Sequence, residues 1–172
     1  AVFAGEAEPY IETGFGITGG AKGPYSGEWA EANIGIEGIM RIGGDILPDL
    51  AIYGVMHISG TDAPWYGSEY PGLRGQAGIG IGVAWRKQFF TLHCDILGIA
   101  DIGQGDYAND GYMDLRFGGK VIIEPEFMIA PAREWFGFSI SVPLAASFTS
   151  DTWGFTGGIA FSFSLGDHLE GY

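Results

Sequence analysis

Ala77-Gly78-Ile79-Gly80-Ile81-Gly82-Val83-Ala84-Trp85 is the stretch that decides the fold. Large apolar side chains occupy most odd positions, and glycine or alanine fills the even ones. That period of two belongs to a strand with unlike faces. Moving outward, Phe90, Leu92, Cys94, Ile96 and Ala100 oppose Thr91, His93, Asp95 and Asp101. Met113, Leu115, Phe117, Val121, Ile123 and Phe127 oppose Asp114, Arg116, Gly118, Lys120, Glu124 and Glu126. The run Leu50 to Ser59 carries apolar groups on both faces. Further alternating runs span about Pro9–Gly20, Gly27–Gly43, Phe136–Leu144 and Phe155–Leu165, so eight strands are predicted and no stretch shows a helical period.

Composition agrees with this reading. The 172 residues hold 31 glycines, more than twice the usual ~7%, without a collagen triplet. A formal net charge of −13 argues against a nucleic-acid partner. The single cysteine, Cys94, excludes an internal disulfide framework. No apolar run is long enough for a spanning helix. One barrel domain over 1–172 is expected, with strands within about 9–166 and short extensions at both ends. Val2-Phe3-Ala4 loosely resembles the end of a secretory signal, and an ordinary terminus reads equally well.

The connections after strands one, three, five and seven are rich in Gly, Asp, Ser and Tyr. Those after strands two, four and six are shorter: Gly44 to Asp49, Arg86-Lys87-Gln88 and Pro131-Ala132-Arg133. Tight links force antiparallel neighbours, and an even strand number suits an up-and-down barrel. Three features turn its apolar face outward. The opposite face is Gly, Ala and Ser with scattered charges, which fits a narrow lumen better than a water-facing exterior. The strands reach the ~10 residues that a tilted strand needs to cross a bilayer. Trp29, Trp65, Trp85, Trp135 and Trp153 lie at strand ends or in a loop, as the two aromatic girdles of a membrane barrel require.

So oriented, the chain resembles the small eight-stranded outer-membrane barrels, a class that includes the OmpA membrane domain, OmpX, OmpW and the opacity proteins. The resemblance covers about residues 9–166 and rests on pattern, without a diagnostic motif. It implies an all-β, eight-stranded antiparallel transmembrane barrel in a Gram-negative-type outer membrane. Longer loops would lie outside and the termini in the periplasm, with outer-membrane lipid and lipopolysaccharide as surroundings. Two departures stand out. Phe161, Phe163 and Leu165 keep the outward register, but seven residues follow them. Pro143 falls inside strand seven, where a bulge is expected.

An inward polar face holds a network of Glu12, Glu31, Glu37, Arg41, His93, Asp95, Asp114, Arg116, Lys120 and Glu124, joined by Asp101, Glu126 and Arg74. A hairpin closing near residue 107 sets His93 beside Lys120, and Asp95 diagonal to Arg116 and Lys120. One reading is a paired ionic plug, because charges in a sealed barrel must be matched. The other is a wet, cation-favouring lumen, with room left by Gly14, Gly16, Gly35, Gly78, Gly80, Gly82, Gly118 and Gly158. Such a lumen would pass or bind small cationic or neutral solutes in a porin-like manner. Cofactors are not expected, and the function read from these residues is non-enzymatic.

Two alternatives remain open at the level of sequence. His57-Ile58-Ser59, with acids such as Glu69 following, resembles the His-x-Ser of outer-membrane lipid A deacylases. In that family the motif lies late in the chain, with its acid on a following strand; here it is early and the acids fall in a loop. A soluble lipocalin-like barrel around an apolar ligand is the second. Asp106 and Asp110 collect oxygen ligands in one loop but lack the spacing of a calcium loop, and a solvated turn is the better reading.

Overall fold

The structure, a computed structural model, describes residues 9–24, 31–47, 49–62, 73–87, 89–104, 113–133, 136–150 and 152–166. These form β1 (Pro9–Pro24), β2 (Glu31–Leu47), β3 (Leu50–Asp62), β4 (Leu73–Lys87), β5 (Phe90–Gln104), β6 (Met113–Arg133), β7 (Phe136–Ser141), β8 (Leu144–Thr149) and β9 (Thr152–Gly166). Each strand from β1 to β6 runs antiparallel to the next, and β9 returns to pair with β1. β7 and β8 share both neighbours, β6 and β9, and together make one wall of the ring. The nine segments therefore build an eight-stranded antiparallel barrel.

The alternation resolves as an apolar exterior. Ile34 is 64% exposed, Ile81 70% and Phe161 37%, and none of them enters the lumen. Isoleucine, valine and phenylalanine side chains repeat this all round the ring. Phe15, Phe136, Phe138, Phe161 and Phe163 pack against one another across β1, β9 and β7, with centroids 5.2 to 6.4 Å apart. Trp85 and Trp153 lie at strand ends; Trp29, Trp65 and Trp135 lie outside the described residues.

Three local expectations are corrected. Strands run further than the alternation alone suggested: Gly44 to Leu47 belong to β2 and Pro131 to Arg133 to β6. Both extensions carry register shifts at their ends, Asp45/Leu47 in one and Met128/Ala130 and Pro131/Arg133 in the other. Bulges at a barrel rim let a strand continue while it bends. At Pro143, by contrast, no residue is inserted. Ser141 faces Glu126 and Leu144 faces Ile123, three positions apart on both sides. The proline only interrupts the ladder, and Val142 N–H still donates to Pro125 O at 3.0 Å.

The third correction concerns the β5–β6 hairpin. His93 pairs with Glu124, Leu97 with Lys120 and Asp101 with Arg116. This is four residues from the expected register. An even slip leaves every side chain on its face while changing every neighbour.

Candidate functional site in the barrel lumen

Alternation sends one residue in two from each strand into the lumen, where parity sorts them into levels. At the end with the tight turns, Arg41 of β2 is fully buried at 0% exposure. Its guanidinium reaches Glu12 at 2.5 Å, Asp95 at 2.8 Å and Glu124, drawing β1, β5 and β6 onto β2. Ser141 donates to the other oxygen of Glu124 at 2.5 Å. Tyr53 donates to Asp95 at 2.7 Å, its oxygen 3.1 Å from His93 Nδ1. His93 Nε2 lies 2.9 Å from Glu126 and 3.6 Å from Glu12. Below them Arg86 pairs with Asp45.

Above this network comes an apolar level. Ile39, Val55, Leu97, Ile99, Ile122 and Ala145 are buried inward-facing residues and form one cluster with Tyr53. On β2, β5 and β6 the inward order is charge, isoleucine or leucine, charge: Arg41-Ile39-Glu37, Asp95-Leu97-Ile99-Asp101 and Glu124-Ile122-Lys120. A second ionic level follows, where His57 Nε2 sits 3.2 Å from both Glu37 and Lys120 Nζ. Nearest the long-loop end, Lys22 pairs with Asp101 beside a cleft of about 50 Å³. Lys22, Arg74 and Lys120 line it with Glu37, Asp101, Ser59, Thr61 and Thr156.

The structure thus gathers Glu12, Arg41, His93, Asp95 and Glu124 in one network, and Glu37 and Lys120 in another. Arg116 faces Asp101 across the β5–β6 ladder. Glu31 and Asp114 fall on β2 and β6, in the strand ends nearest the long loops. Glu69, Asp106 and Asp110 lie outside the described residues. Sequence reasoning missed Lys22, Asp45, Tyr53 and Arg86, although each continues the inward parity of its own strand.

Two expectations about the lumen change. The inward glycines do not leave free volume, because neighbours fill it. A Cβ on Gly82 would collide with Asp95 Oδ1 and with the Tyr53 ring, and one on Gly80 with the Ile96 carbonyl. The His57–Ser59 hydrolase arrangement is not assembled either. His57 is buried inside the barrel, away from its outer surface, and its Nε2 is held by Glu37 and Lys120. Its Nδ1 has no hydrogen-bond partner among the described residues, so no hydrogen bond from it reaches Ser59.

A closed up-and-down ring, oily outside and ionic within, is the architecture of the small eight-stranded outer-membrane barrels. Solved structures agree. Ail, the attachment invasion locus protein of Yersinia pestis, matches with a TM-score of 0.59 at 13% identity, covering 94% of this chain and 100% of that one. Ail in complex with the heparin analogue sucrose octasulfate matches with the same TM-score at 12% identity, covering 92% and 99%. Neisserial surface protein A matches at 0.56 with 8% identity, covering 91% and 96%. Identities this low establish the shared fold. No protein-family model matches the chain, and no curated protein sequence does.

Proposed function

We propose that the chain is an integral outer-membrane barrel of a Gram-negative-type bacterium, a single non-enzymatic domain with its longer loops outside. Its lumen binds small polar solutes at the long-loop end and does not pass them through. The observation that carries this reading is the inverted distribution of side chains. Branched and aromatic groups cover the outside, while Arg41, His93, Asp95 and Glu124 are buried within. In water that exterior would be an apolar patch far beyond the few hundred Å² a soluble monomer exposes. In lipid it is the expected solvent-facing surface. Closed pairing from β1 round to β9 also satisfies the backbone, which a bilayer core demands.

Binding is favoured over passage by the order of levels along the axis. The cleft at the long-loop end meets the His57–Glu37–Lys120 level, then the apolar cluster, then the Arg41 network. Lys22, Arg74 and Lys120 roughly balance Glu37 and Asp101 around the cleft, which suits neutral or zwitterionic polar solutes. Excess acid is concentrated in the Arg41 network, where it is packed against protein.

Fractionation tests the placement. The protein is expected to stay with membranes after an alkaline wash and to shift on gels when heated. Recovery from the aqueous phase without detergent would refute it. Ile81→Arg, at a lipid-facing position, is expected to weaken folding into bilayers by about 2–4 kcal/mol. Planar-bilayer recordings separate binding from passage: background conductance supports the closed lumen, and a sustained ohmic current overturns it. Ser59→Ala is expected to leave lipid A acylation unchanged.

A further inference from the structure

Glu12, His93 and Glu126 come from three different strands, β1, β5 and β6, and converge inside the tight-turn end of the lumen. One ligating atom from each lies within 4.8 Å of the other two, and all three residues are buried. His93 Nε2 is 2.9 Å from Glu126 Oε2 and 3.6 Å from Glu12 Oε2. Three ligands each about 2.0–2.2 Å from one tetrahedral ion stand ~3.3 Å apart, between those two separations.

The hydrogen bonds behind the histidine supply an independent argument. Tyr53 has one phenolic proton, and of its two acceptors Asp95 Oδ1 at 2.7 Å is nearer than the Val83 carbonyl at 3.1 Å. The 3.1 Å contact between Tyr53 Oη and His93 Nδ1 must then use a proton on Nδ1. A neutral His93 with its proton on Nδ1 presents the lone pair of Nε2 to two carboxylate oxygens. Lone pairs that face one another at 2.9 Å in a buried site need a proton or a metal ion between them. Metal-bound imidazoles commonly have their far nitrogen fixed by an oxygen, as the Tyr53 hydroxyl, itself anchored on Asp95, fixes Nδ1 here. The charges point the same way. Among the described residues, Glu12, Asp95, Glu124 and Glu126 share this cluster with one permanent cation, Arg41, so even an imidazolium leaves it negative.

We propose that Glu12, His93 and Glu126 form a structural site for one divalent transition-metal ion of the zinc type, tying β1, β5 and β6 together inside the lumen. One imidazole nitrogen with two carboxylates favours such an ion over magnesium or calcium, which prefer all-oxygen shells. The competing state of the same atoms is an imidazolium clamped between two carboxylates. This site does not depend on where the barrel resides or on whether its outer cleft takes solutes.

Protein refolded in detergent micelles with and without zinc, then gel-filtered, gives the metal content by elemental analysis. About one zinc per chain is expected, retained in excess magnesium and calcium, with a higher melting temperature than the metal-free barrel. Glu126→Gln and Glu12→Gln each remove a ligand and a buried charge, so both should still fold, with zinc content near zero. Tyr53→Phe should fold and lose roughly 10- to 100-fold in zinc affinity. His57→Ala, at the other ionic level, should bind zinc as the parent does. A parent barrel that retains no zinc, binding that survives both glutamine variants, or loss through His57→Ala would each overturn the site and leave the imidazolium clamp.

Discussion

The two ends of the lumen solve the problem of buried charge differently. At the tight-turn end one arginine gathers three carboxylates from three strands, and no group in that cluster is more than marginally exposed. At the long-loop end the ions occur in smaller sets, Lys22 with Asp101 and His57 with Glu37 and Lys120, beside an open cleft. The first arrangement has no water to fall back on and must be complete. The second can exchange a protein partner for solvent, and so can admit a solute. Access to the cleft, which Lys22, Glu37, Asp101 and Lys120 line, separates the adaptable end from the structural one.

The sharpest way to break this contrast is Arg41→Ala. It leaves Glu12, Asp95 and Glu124 buried without their cation, and a loss of about 3–5 kcal/mol in urea unfolding from micelles is expected. A loss under ~1 kcal/mol would show that water reaches this end as it does the other. Gly82→Ala comes next, because the new methyl group meets the Tyr53 ring and Asp95. Overpacking of that kind costs about 1–3 kcal/mol, readable in the same unfolding curves. Lys120→Met removes the ammonium beside His57 and Glu37, and about 1 kcal/mol is expected on removal of one partner from a network that keeps its other contact.

Lys22→Met, at the mouth, should cost ~1 kcal/mol or less and lose its effect in high salt. Salt should leave the Arg41→Ala difference almost untouched. A common salt response at both ends would erase the distinction drawn between them.

How much of this was readable in the residues follows from the range of each interaction. The face of every strand but β3 was legible, because alternation is local and the outward-facing set Ile79, Ile81 and Val83 carries it without interruption. Arg41, His93, Asp95 and Glu124 were legible as lumen residues for the same reason. Their partners were not. Arg41 meets Asp95 and Glu124 across the lumen from strands that are not its neighbours, 54 and 83 residues away. No local period encodes such a meeting. The β5–β6 register depended on where the chain turns between Gln104 and Met113, and a displaced turn moves every neighbour together. Tyr53 stayed hidden because β3 is apolar on both faces, so nothing distinguished its inward set. Arg86 and Asp45 were assigned to turns because the strands outlast their alternating apolar residues.

The join between β1 and β9 runs over fifteen residue pairs, from Tyr10 opposite Gly166 to Pro24 opposite Thr152. Of the strands in this ring, the first in chain order thus waits for the last. Until residue 166 has been made, any partial sheet carries a raw border of unmatched amides that hydrocarbon will not accept. A chain truncated before β9 should consequently aggregate, making closure of the ring an all-or-none event decided by this fifteen-residue strand.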